Sequence, residues 1–84
     1  MKPELYQRVA LARDLPEHGL QKGDVAVIVE HLPATPESRG EEGYALEVFN
    51  ALGETIAVVM VPASAVEPLK EDEILHVRPL MRLS

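Results

Sequence analysis

The chain contains no cysteine, which excludes a disulfide framework, a thiolate zinc site, an iron–sulfur cluster and a cysteine nucleophile. It also lacks an apolar run near the roughly 18 residues that a membrane span requires, so no membrane association is expected. Aromatic side chains are scarce: Tyr6, Tyr44 and Phe49 are the whole set, little for nucleic-acid bases to stack on. Positive charge is short as well. Eight basic residues against fourteen acidic ones give a net charge of −6, the wrong sign for attracting a phosphate backbone. Gly19 and Gly23 precede a strand pattern rather than a helix, so no phosphate-binding loop is formed. The opening residues carry no apolar stretch of secretory type, and the cytoplasm is the expected location.

What the 84 residues do contain is a sequence of strand signals sufficient for one small core. Val25 to Leu32 is rich in β-branched residues, starts after Gly23-Asp24 and stops at Pro33, as a strand should. Period-two alternation groups Val25, Val27 and Val29, and this valine face is expected to point into the core. Tyr44–Phe49 and Thr55–Val61 form a β-hairpin across Asn50–Glu54, where Gly53 can take a positive φ. Tyr6–Arg13 reads as an earlier strand ended by Pro16, with Tyr6 and Tyr44 inside or at the rim of the fold. The following loop is polar except for Leu20, an anchor beneath it. Pro62–Ala65 suits one 3₁₀ turn and Val66–Leu69 a closing strand. Five short strands in this order suggest an all-β domain over residues 1–70, a small SH3-like barrel or a partly open five-stranded sheet.

The fourth strand is apolar on both faces. Its inward set is expected to be Ile56, Val58 and Met60, leaving Ala57, Val59 and Val61 outside beside Phe49 and Ile28. A sheet with one wet face should alternate polar and apolar residues, so a second cover is implied. Residues 71–84, with Ile74, Leu75, Val77, Leu80, Met81 and Leu83, offer one. This C-terminal extension is expected either to pack on its own sheet or to dock on a second subunit.

The stretch Asp14-Leu15-Pro16-Glu17-His18-Gly19-Leu20-Gln21-Lys22-Gly23-Asp24 and the strand after it resemble the bacterial family known as domain of unknown function 4926. Tyr44–Phe49, Gly53–Val59 and Glu73–Leu80 extend the likeness over most of the chain, with Ala26 standing where members commonly have glycine. The resemblance implies a compact SH3-like β fold and supplies no catalytic residues.

Three groups of side chains carry the functional expectations. His18 lies in sequence near Asp14, Glu17 and Asp24, a set that could pair for acid–base work or hold a metal weakly. A loop histidine pinning its own loop is the commoner arrangement, and neither a metal site nor a cofactor is expected. His31 and His76 stand alone. Ser38, Ser64 and Ser84 lie in no nucleophile elbow, so the protein is expected not to be an enzyme. Arg78 and Arg82 make the tail locally basic. They are expected to pair with acidic side chains of this chain or a twin, direct nucleic-acid binding with the loop around Lys22 being the alternative function. Glu37, Glu41 and Glu42, with Glu47 and Glu54 nearby and Arg39 between, form an acidic region suited to a basic partner. The leading expectation is a protein–protein interaction module or homo-oligomer, in its most specific form an antitoxin or immunity-type partner of a co-expressed protein. Its contact residues are expected to be Phe49, Val59, Val61, Ile74, Val77 and Leu80.

Overall fold

The β-branched run bounded by Gly23-Asp24 and Pro33 forms the long central strand of one sheet. In the computed structural model, which describes residues 3–80, the elements follow in chain order as β1 (Arg8–Leu11), a 3₁₀ turn η1 (Pro16–His18), β2 (Val25–Leu32), β3 (Gly43–Phe49), β4 (Thr55–Pro62), a second 3₁₀ turn η2 (Ala63–Ala65) and β5 (Val66–Pro68). All neighbouring strands are antiparallel, and the order across the sheet is β4-β3-β2-β1-β5. The strands do not close into a barrel. β4 and β5 are the two edges, joined only by the short turn η2, so the open five-stranded form is the one present.

The sheet nevertheless curls enough to make a core from a single layer. Val9 and Leu11 of β1 belong to the same buried cluster as Val59 and Val61 of β4, with Ala26, Ile28, Tyr44, Leu46 and Val48 between them. Leu15 and Leu20, which face each other across a short bridge in the first loop, and Ala65 of η2 complete the cluster. Leu20, as expected, anchors an otherwise polar loop. Its turn η1 closes through His18 N–H to the Leu15 carbonyl (3.0 Å) and Gly19 N–H to the Pro16 carbonyl (3.1 Å).

Two facings differ from the sequence expectation. On β2 the buried residues are Ala26 and Ile28, while Val25, Val27 and Val29 are only half-buried on the other side. On β4 the buried pair is Val59 and Val61, and Ile56, Val58 and Met60 point outward. Register explains both. Arg8, Val27, Glu47 and Val58 are opposite one another in one row across four strands, and side chains opposite one another share a face. A row holding Arg8 and Glu47 belongs in water, so Val27 and Val58 go with it. A bulge between Ile28 and Glu30 then places Glu30 in the outward row of Ala45 and Met60, as one extra residue does to the phase of a strand. Tyr6 is also outside, 74% exposed with a φ of 65°, because the strand begins two residues after it.

Candidate functional site

The outward face of the sheet is where apolar side chains and the C-terminal segment come together. Val25 and Val27 of β2, Phe49 of β3 and Ile56 of β4 form one wall of a groove of about 650 Å³, and Leu75–Leu80 run along the other side. The segment has no regular secondary structure there. It is held by Arg78, whose Nε donates to Asp24 Oδ1 at 2.9 Å and whose Nη2 donates to Asp24 Oδ2, with a longer contact to the Gly19 carbonyl at 3.4 Å. Paired, parallel guanidinium–carboxylate bonds of this kind are among the stronger polar contacts a surface can form. The two side chains are only 21% and 20% exposed.

Asp24 occupies the position just before β2 and serves two purposes. Its Oδ2 accepts the Gln21 amide at 2.8 Å, shaping the turn that leads into the strand. Burial raises the Asp24 carboxyl, but the hydrogen bonds from Arg78 and from the Gln21 amide, together with the Arg78 charge, outweigh it. The carboxyl therefore titrates below its ordinary value of 3.8. The hydrogen bond to Asp24 correspondingly raises Arg78, which stays charged.

The apolar side chains of the segment are not buried by this docking. Ile74 is 93% exposed, Val77 81% and Leu80 48%. Beyond the groove, Val58 and Met60 on the edge strand are 59% and 68% exposed. β4 carries no charged residue along its length, while the opposite edge, β5, is three residues long and ends in Pro68. Short edges and prolines discourage strand addition; a long uncharged edge does not.

The residues singled out from sequence divide accordingly. Phe49 is half-buried against the groove. Val59 and Val61 are in the core, 6% and 4% exposed, and the outer-face role expected of them belongs to their neighbours Ile56, Val58 and Met60. Ile74, Val77, Leu80 and Arg78 are on the docked segment, and Arg82 lies outside the described residues. The carboxylates expected around His18 are engaged elsewhere: Asp14 accepts the Lys22 amide at 2.8 Å, and Asp24 holds Arg78. Glu17 and His18 are exposed on η1. His31 lies edge-on to Tyr44 with ring centres 5.4 Å apart. Among the described residues no three histidine or carboxylate groups are placed to share a metal ion. In the acidic region, Glu41 accepts the Ser64 amide at 2.8 Å, a bond that lowers its pKa and ties the loop before β3 to η2.

Ile56, Val58 and Met60, expected from the sequence to face inward, are surface residues. The signal was Glu47, the single charge on β3, which fixes the wet face of the sheet.

A family match over residues 5–68, under the description domain of unknown function (DUF4926), covers all five strands and both turns. The chain belongs to the DUF4926 family. The match ends at Pro68, so in this DUF4926 member Asp24 lies within the matched span. Arg78 lies beyond it, as does the whole Glu73–Leu80 stretch over which the likeness was expected to continue. Neither the curated proteins nor the solved structures yield a match.

Proposed function

We propose that this protein is a non-enzymatic protein–protein interaction module that binds an uncharged, extended strand of another polypeptide along β4 and the apolar outer face beside it. The observation that carries this reading is the β4 edge: eight residues, no charge, and Ile56, Val58 and Met60 turned outward at 39%, 59% and 68% exposure. Along an edge strand, every second residue turns its backbone N–H and C=O away from the sheet. Strand addition satisfies those groups while the side chains beside them leave water. Natural sheets ordinarily guard such an edge with lysine, proline or a bulge, and here the central part of β4 has none. Nucleic-acid binding draws less support, because Arg78 is occupied by Asp24.

The test is a photo-reactive amino acid placed at Met60 in the full chain, irradiated in cells, with Lys70 as the control position. A single adduct of defined mass from position 60, absent from position 70 and abolished by Val58→Lys, is the expected result. Equal or no adducts at both positions would overturn the reading.

A further inference from the structure

We propose that β4 pairs antiparallel with β4 of a second copy of this chain, about a two-fold axis at Val58, joining two five-stranded sheets into one of ten strands. The inference rests on β4 being a protein-docking edge and names what docks there.

Charge is the first argument. Each copy carries −6, so two copies repel unless they meet where neither is charged. Residues 55–66 contain no charged side chain, and this stretch includes the whole of β4. A partner recognised by opposite charge would meet one of the acidic surfaces instead. An uncharged edge fits another uncharged edge, and this chain supplies one.

Self-complementarity is the second. With Val58 on the axis, Val58 faces its own counterpart, Ile56 faces Met60 of the second copy, Ala57 faces Val59, and Thr55 faces Val61. A two-fold axis perpendicular to the sheet keeps each side chain on its own face. Ile56, Val58 and Met60 therefore meet on the outward side, where all three are exposed, and they form a continuous apolar row. Directly opposed apolar side chains are the unit from which sheets gain stability. Pro62, which lacks an N–H, falls opposite Glu54 just past the Thr55–Val61 stretch, so its missing donor removes only a terminal ladder bond. The β3–β4 register is regular from Ala57 to Pro62, with its one irregularity beside Ile56, so most of the edge is free of bulges. The other edge, β5, offers three residues ending in proline, so the assembly closes at two copies rather than extending as a fibre.

The experiment is solution mass by sedimentation equilibrium on the full chain, over a concentration series at low and high salt, for the wild type, Val58→Lys and Leu52→Lys. Leu52 is an apolar residue at the hairpin tip, 86% exposed and away from the edge. The expected mass rises with concentration toward twice 9.2 kDa. Salt strengthens the association, because it screens repulsion between like-charged copies. Val58→Lys stays at the mass of one chain with an unchanged thermal midpoint, and Leu52→Lys behaves as the wild type. Should Val58→Lys fail to fold, Met60→Lys takes its place. A wild type that stays at one chain's mass throughout, or a folded edge variant that still dimerises, overturns the inference. The Met60 photo-adduct separates this from the broader reading: an adduct with another polypeptide keeps the docking edge and removes the second copy, and no adduct removes both.

Discussion

Replacing Arg78 with alanine removes the polar tether that, among the described residues, holds the C-terminal segment to the first loop. Two guanidinium bonds to Asp24 and the weaker contact to the Gly19 carbonyl are lost. Asp24 keeps the Gln21 amide, so its charge is partly compensated rather than orphaned. Exposed ion pairs contribute about 0–1 kcal/mol and breaking a buried one costs about 3–5. A pair whose side chains are each about a fifth exposed lies between, and retained water contact pulls the value down to about 1–2 kcal/mol. For a domain of this size each kcal/mol lowers the thermal midpoint by about 4–8 °C. The assay is thermal unfolding of the wild type, Arg78→Ala, Asp24→Asn and the double variant, with amide exchange across residues 73–80. The double-mutant cycle should return a coupling of about 1–2 kcal/mol, and exchange in the segment should accelerate in both single variants. A coupling near zero, with exchange in the segment unchanged, would refute the tether.

Acid should open the same tether. Asp24 is held below its ordinary value of 3.8, so its contribution is complete above that pH and is lost as pH falls through the lowered value. Proteolysis of the segment should therefore rise below about pH 4 in the wild type, and Asp24→Asn should show no such step. Gly43→Ala would place a methyl 2.6 Å from the Val61 carbonyl oxygen, forcing β3 and β4 apart at a cost of about 1–3 kcal/mol. A denaturant midpoint equal to that of the wild type would contradict this. Leu46→Ala, at a fully buried position in mid-sheet, should cost about 2–5 kcal/mol, seen as loss of cooperative unfolding near room temperature. Gly53→Ala forces an L side chain to a φ of 84° in the hairpin turn and should cost about 1–2 kcal/mol, measured by the shift in thermal midpoint.

Strand positions were largely legible because their boundaries are made of backbone chemistry. Gly23-Asp24 and Pro33 bracket β2, Asn50–Glu54 sets the hairpin, and Pro62 ends β4 before η2. Facing was less legible, because it depends on contrast between two faces and the runs in β2 and β4 have little. Judged by bulk alone, Val25, Val27 and Val29 outweigh Ala26 and Ile28, yet Ala26 and Ile28 are the buried set. Glu47 could have set the phase, since it lies in one row with Val27 and Val58. The first strand was read too long, with Tyr6 inside it. Neither the positive φ of Tyr6 nor the turn formed by Gln7 N–H with the Glu4 carbonyl leaves a mark on hydrophobic pattern. Arg78 was expected to find an acidic partner, but its choice of Asp24, 54 positions away, follows from where the segment crosses the first loop and has no local sequence signal.

The most direct measurement of the central claim is amide exchange along Thr55–Val61 as protein concentration is raised. Pairing of β4 with its copy predicts that alternate amides of this strand slow with concentration, those that already bond to β3 staying slow throughout. They should return to the dilute rate in Val58→Lys. Exchange along β4 that is independent of concentration, in a protein that remains folded, would contradict the account.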